Sequence, residues 1–164
     1  MMRVEIRQAT AADAAVIEAM LLEAARWVDA LGAVMWEEGE LDAGRLARES
    51  AAGQFFIAEV DGVAAGIVRF QLADLQFWPD IPHADSAFVH RLVVRRAFKG
   101  QGVSTALLEW AAGRARSLGK RFLRLDCDAQ RTKLRALYEL FGFHLHSYRQ
   151  VGSYYVARYE LPLD

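Results

Sequence analysis

The sequence predicts an α/β fold with a mixed central sheet of about seven strands flanked by about four helices. Three features of the 164 residues carry that expectation. Apolar runs at 54–60 and 63–70 flank Asp61 and Gly62, a dipeptide that tolerates the positive φ angles of a two-residue turn, so an antiparallel hairpin is expected there. Residues 87–127 read strand, glycine-rich turn, helix, strand, which implies a right-handed crossover and a parallel pair. Two further strands, 143–149 and 154–161, are joined near Gly152. A mixed sheet with helices on both faces follows.

The elements can be justified in order. Residues 4–8 alternate apolar and polar, as a half-buried strand does. Thr10 is an N-cap candidate and Asp13 suits the electropositive first turn, so a helix is expected over 10–31, with Ala14, Ile17, Leu21, Ala24 and Val28 on one face and Gly32 as its stop. Residues 33–40 read as a loop and 41–52 as a shorter helix. After the Asp61-Gly62 hairpin, residues 74–85 carry two prolines and three aspartates and read as a loop with an exposed aromatic pair, Phe77 and Trp78. Strand 87–94, helix 100–118 ending at Gly119, strand 121–127 and helix 131–141 ending at Gly142 complete the order. No repeat and no linker divides the chain, so a single domain over 1–164 is expected.

Composition excludes several classes. With 54% hydrophobic and 25% charged residues, the chain is neither low-complexity nor fibrous. No apolar stretch approaches the roughly 18 residues of a membrane span, and the N-terminus lacks a signal-peptide core, so no membrane partner and a cytoplasmic setting are expected. The single cysteine, Cys127, provides neither an internal disulfide nor a zinc cluster.

The net charge of −1 conceals an asymmetry. Residues 1–90 hold 6 Lys/Arg and 15 Asp/Glu, a net of −9, whereas residues 91–135 hold 12 and 3, a net of +9. Either the basic part is a solvated surface, or it meets something anionic: a phosphate-bearing cofactor, a nucleic acid or an acidic partner. The aromatics are not interleaved with the cations and no nucleic-acid motif is present, which argues against nucleic acid.

The chemistry-bearing stretch follows strand 87–94. Gly100 and Gly102 let backbone N–H groups converge, and the following helix directs its positive end at the same place. Lys99, Arg95 and Arg96 add charge. A dinucleotide fingerprint would need glycine at Thr105, and a Walker A loop is absent. On the glycines alone, an ordinary strand–helix turn and a phosphate cradle both stand.

Here the sequence resembles the GNAT superfamily of acetyl-CoA-dependent N-acetyltransferases. Leu92 and Val94 match the strand of the family signature. Lys99, Gly100, Gln101, Gly102, Val103 and Ser104 match its loop, with Lys for Arg and Ser for the last small residue, and Leu107-Leu108 match its helix. A second motif, Leu137, Tyr138, Glu139, Gly142 and Phe143, is similar to the family's Leu-Tyr-Glu-x-x-Gly-Phe. Arg96 stands where the family often has Pro, and Arg131 where it often has the Asn that contacts pantetheine.

The resemblance implies an acyl-CoA N-acyltransferase fold with acetyl-CoA in an opening between strands 87–94 and 121–127. The backbone of 99–104 would bind the pyrophosphate, and Leu92, Val93 and Val94 would pair with the pantetheine arm. An amine would attack directly, with no covalent enzyme intermediate. Tyr138 is the implied proton donor to the leaving thiolate; its alternative is a buried aromatic. His90 is the candidate base, at a place where the arylalkylamine acetyltransferases, which have a similar His-x-Leu-x-Val run, carry a histidine. Strand parity would put it with Phe88, Leu92 and Val94, so a hydrogen-bonded core histidine is the alternative. Trp36, Glu37, Phe77 and Trp78 are candidate acceptor contacts, with Glu38, Asp80 and Asp85 as attractors of a cationic amine; each could equally be an ordinary loop residue. No metal is expected, because no third ligand joins His144 and His146. The expected partners are coenzyme A, a small amine and, for the assembly, a homodimer. A non-catalytic acyl-CoA sensor on the same fold is the alternative function.

Overall fold

Asp61 and Gly62 both adopt left-handed backbone, with φ of 51° and 77°, and they join two antiparallel strands as the dipeptide predicts. A computed structural model describes residues 3–30 and 42–164 of the chain. Among these residues the strands are β1 (Val4–Gln8), β2 (Phe55–Val60), β3 (Val63–Gln71), β4 (Ser86–Val94), β5 (Phe122–Asp128), β6 (His144–Val151) and β7 (Tyr154–Pro162). The α-helices are α1 (Ala14–Ala30), α2 (Ala43–Ala51), α3 (Val103–Ser117) and α4 (Thr132–Phe141). The strands form one sheet in the order β1-β2-β3-β4-β5-β7-β6. Its β4–β5 pair is parallel, and β1–β2, β2–β3, β5–β7 and β6–β7 are antiparallel. The expected mixed seven-stranded sheet with four helices is therefore present. No described helix is long and apolar enough to cross a membrane.

Local chemistry sets the helix ends. The Thr10 hydroxyl accepts from the Ala12 N–H at 3.3 Å, and Asp13 accepts from the Thr10 N–H at 2.8 Å, a reciprocal cap that starts the first helical segment. Arg7 reinforces it with two bonds to Asp13 at 2.9 Å, which hold that carboxyl down at about 2 even against partial desolvation. Asp42 caps α2 by accepting from Arg45 N–H at 3.1 Å. Gly142, with φ of 126°, ends α4 as the sequence suggests.

The chain forms two compact units, each assembled from two segments. The first comprises residues 1–69 and 91–108. Its core joins Ile17, Met20 and Leu21 of α1, Leu46 of α2, Phe55 and Ile57 of β2, Ile67 of β3 and Val93 of β4. Gly66 is needed there: a Cβ would lie 2.7 Å from the Val93 carbonyl oxygen and 3.1 Å from Val103 Cγ1.

The second unit comprises residues 70–90 and 109–164. Phe88, Leu123, Phe143 and Tyr159 are buried in it. The parallel ladder runs only from Ser86↔Phe122 to Phe88↔Arg124, while β5 pairs with β7 along its whole length. Arg91 has φ of 55°, unusual for a side chain of that size and worth roughly 1–3 kcal/mol of strain.

Two glycines test these statements. Gly66→Ala should cost about 1–3 kcal/mol through overpacking. Gly113, in α3 with open space around its missing Cβ, should gain about 0.5–1 kcal/mol on change to Ala. Thermal denaturation should show Tm moving in opposite directions.

Candidate active site

The first unit holds the glycine-rich turn. Gly100 and Gly102 have φ of 77° and 81°, and a Cβ at either would meet nothing within 4 Å, so the backbone there is open to an approaching group. The first bond of α3 runs from Ala106 N–H to the Gly102 carbonyl at 3.0 Å. The N–H groups of Val103, Ser104 and Thr105 therefore have no partner within the helix. The turn is anchored from α1: Glu23 accepts from Arg96 N–H at 2.9 Å and lies 3.7 Å from Arg95, while the Arg96 guanidinium sits 4.2 Å from the Trp27 ring centroid. Two of the expected phosphate-facing cations thus have partners on α1. Exposed Lys99 precedes the glycines.

The second unit holds the titratable cluster. His90 Nε2 is 2.8 Å from Asp74 Oδ2, and His90 Nδ1 is 3.9 Å from Asp126 Oδ2. Asp74 is itself fixed, since its Oδ1 accepts from the N–H groups of Gln76 (3.1 Å) and Phe77 (2.9 Å). Burial pushes the Asp74 carboxyl up, but the His90 hydrogen bond and charge, with those two N–H groups, hold it below its ordinary value. Asp126 behaves oppositely. Burial raises it to about 6, Asp74's charge adds to this, and His90 and Arg158 only partly oppose it. The Trp78 indole lies near enough to lower it slightly but makes no hydrogen bond of good geometry.

Tyr138 is buried, with its ring 5.9 Å from Phe143 and 6.2 Å from Tyr159. Burial, then the neighbouring Cys127 and Asp126, push its phenol well above the usual range, so it stays protonated. Burial also raises the Cys127 thiol to about 12, far from a nucleophile's range. Arg131 precedes α4, donates its backbone N–H to the Asp128 carbonyl at 3.0 Å and lowers both the Tyr138 and Cys127 values by its charge.

Of the expected site residues, His90, Tyr138, Arg131 and Phe77 fall in the second unit. Phe77 lies 6.1 Å from the His90 ring and 6.2 Å from that of Tyr154. Trp78 corrects an expectation: it is 0% exposed rather than a surface aromatic, packed on Phe88 and His146, with the Arg158 guanidinium 4.6 Å from its ring. It cannot serve as an acceptor wall while so enclosed. Trp36, Glu37 and Glu38 lie outside the described residues. Asp80 is a structural anchor, taking two bonds from Arg158 at 2.7 and 3.1 Å. The sequence reading missed Asp74 and Asp126 as partners of His90. Three aspartates share the 74–85 loop, and no local pattern marks one of them for the site.

Comparisons with known proteins bear on the family and the fold. Residues 19–143 match the acetyltransferase (GNAT) family. An uncharacterized N-acetyltransferase of Bacillus subtilis, YesJ, is 30% identical over 138 residues, covering 80% of this chain and 76% of the relative. Among solved structures, an acetyltransferase of the GNAT family from Listeria monocytogenes 4b F2365 superposes with a TM-score of 0.81 at 23% identity, covering 98% of this chain and 95% of that one. The yncA structure from Salmonella typhimurium, solved with its cofactor acetyl-CoA, gives 0.75 at 21%, covering 99% and 95%.

Arg158, 3% exposed, also donates to the Phe77 carbonyl (3.0 Å) and Ser147 Oγ (2.8 Å), so it fastens the loop that supplies Asp74. Arg158→Met should lower stability by about 2 kcal/mol in denaturant titrations, by removing several charge-assisted bonds. In the native protein Arg158 holds Asp80 down at about 2, with desolvation opposing. A depressed carboxyl stabilises above its unfolded value near 3.8, and that stabilisation is lost as pH falls through about 2. The stability difference between the native protein and Arg158→Met should therefore persist from pH 7 to about 4 and shrink below it.

Proposed function

Because the chain belongs to the acetyltransferase (GNAT) family, we propose that it transfers an acetyl group from acetyl-CoA to a primary amine of a small molecule or an amino-terminal group, by direct attack in a ternary complex. The observation that carries this reading is the histidine held against a buried carboxylate in the same unit as a tyrosine that burial keeps protonated. When bound, acetyl-CoA supplies the activated acetyl thioester. The turn fits its phosphates: Gly100 and Gly102 leave open backbone, and the unpartnered N–H groups of Val103 and Ser104 offer donors at a helix N-terminus. Lys99 and Gln101 complete that loop, and the backbone of Leu92, Val93 and Val94 would hold the pantetheine arm. One N–H of that strand would polarise the thioester carbonyl, a contribution of roughly 3–4 kcal/mol to the transition state.

The chain's own side chains move the protons. Asp74 orients the His90 ring, and His90 takes a proton from the incoming ammonium. Tyr138 gives its phenolic proton to the departing thiolate. The buried, high-value Cys127 thiol supports direct attack over an acyl-enzyme route. Phe77, against His90, forms an apolar wall beside the acceptor, and the carboxylates of Asp74 and Asp126 favour a cationic amine.

Acetyl-CoA at about 100 times its Kd should stabilise the protein by about 2.7 kcal/mol, seen as a raised Tm. No shift would refute the reading. Thiol release against a panel of primary amines should identify turnover; a shift without release with any amine would instead support a sensor. Tyr138→Phe should lower kcat roughly 10²-fold while leaving the acetyl-CoA thermal shift unchanged. His90→Ala should remove the acidic limb of the pH–rate profile.

A further inference from the structure

We propose that the proton acceptor is a three-residue unit: Asp74 and Asp126 act as positioning residues on opposite sides of His90, the first fixing which ring nitrogen carries the resting proton and the second holding the transferred proton on the other. This inference rests on the reading of His90 as the base.

The geometry assigns the two sides. Asp74 has spent Oδ1 on two backbone N–H groups, which aims Oδ2 at Nε2 from 2.8 Å. Asp74 Oδ2, like Asp126 Oδ2, makes no well-aligned hydrogen bond, but a ring nitrogen 2.8 Å from a carboxylate oxygen must turn its proton and not its lone pair toward it, so neutral His90 carries its proton on Nε2 and its lone pair on Nδ1. Nδ1 faces Asp126, whose Oδ2 is buried and makes no hydrogen bond. The separation of 3.9 Å is too long for a hydrogen bond and short enough for a strong charge interaction in a dry site. A buried carboxylate oxygen without a partner is costly, and its environment is relieved when positive charge appears beside it.

The step balances simply. The ammonium N–H bond breaks, its electron pair stays on nitrogen for attack at the thioester, and the proton forms a bond to Nδ1. The imidazolium then lies between two carboxylates. Asp126 faces charged and titratable groups on every side: His90 on β4, Asp74 on the preceding loop, Arg158 on β7, Cys127 beside it on β5 and Tyr138 on α4. Its carboxyl, raised to about 6 by burial, is ionised above that pH and protonated below it. The base is therefore strong at neutral pH and weakens as acid neutralises Asp126, so the acidic limb belongs to the cluster and not to His90 alone.

Two measurements on the full chain test this. The first, which needs neither turnover nor a known acceptor, is a pH titration of ¹⁵N-labelled histidine by NMR. His90 in the native protein should carry its neutral-state proton on Nε2, and both Asp74→Asn and Asp126→Asn should move its midpoint to lower pH. A resting proton on Nδ1, or a midpoint that neither variant moves, overturns the proposal. The second is the pH–rate profile of thiol release with whichever primary amine turns over. Asp126→Asn should shift the acidic limb to lower pH, and Asp74→Asn should lower kcat at least tenfold, with partial rescue by Asp74→Glu. Loss of activity at all pH values with an unmoved limb would make Asp126 merely structural. If His90→Ala leaves the limb in place, the reading of His90 as base fails; if His90→Ala removes it and Asp126→Asn does not move it, only the present inference fails.

Discussion

The parallel join of β4 to β5 is short, and the buried guanidinium of Arg124 governs it. Parallel pairs are slightly weaker per residue than antiparallel ones, and this one runs only from Ser86 to Phe88. Arg124, on β5, donates to Ser86 Oγ on β4 and to Glu160 on β7 at 3.0 and 3.2 Å. One side chain thereby ties three neighbouring strands at one end. A charge so buried is tolerable only because its donors are engaged. The ladder stops two residues before His90, whose Nδ1 lies 3.9 Å from Asp126 of β5.

The site is built from costs accepted elsewhere. Asp126 is held where ionisation is expensive, and Arg91 adopts a left-handed backbone that its side chain disfavours. Arg158 offsets part of this by fastening the 77–80 segment from β7 and stacking on Trp78. The aspartates of the 74–85 loop therefore divide into distinct duties. Asp74 orients a ring, Asp80 anchors the chain, and Asp85 sits at the edge of the Arg124 network.

Much of the fold was legible because it depends on near neighbours. Asp61-Gly62 needs only its own backbone preferences, and the Thr10–Asp13 cap closes within four residues. Gly100 and Gly102 announced an open turn before a helix, and Gly142 a stop after one. The chemistry was less legible. His90 could be picked out by its motif, but the two carboxylates beside it lie 16 and 36 positions away in sequence. Trp78 read as exposed because prolines and aspartates surround it; a pair of buried arginines from β5 and β7 covers it instead.

The sequence by itself determined the order of the elements, the open glycine turn and the two family motifs, since each is written in contiguous residues with strong local preferences. Tertiary structure decided which carboxylates meet His90, which cations are already engaged, and how far two acids of the same type are driven apart. Asp74 and Asp126 have identical intrinsic chemistry. Burial raises both, but in one it is outweighed by His90 and two backbone N–H groups, whereas in the other it outweighs the charges of His90 and Arg158 and carries the carboxyl to about 6. That difference is set by surroundings assembled from distant strands and loops, which no local pattern encodes.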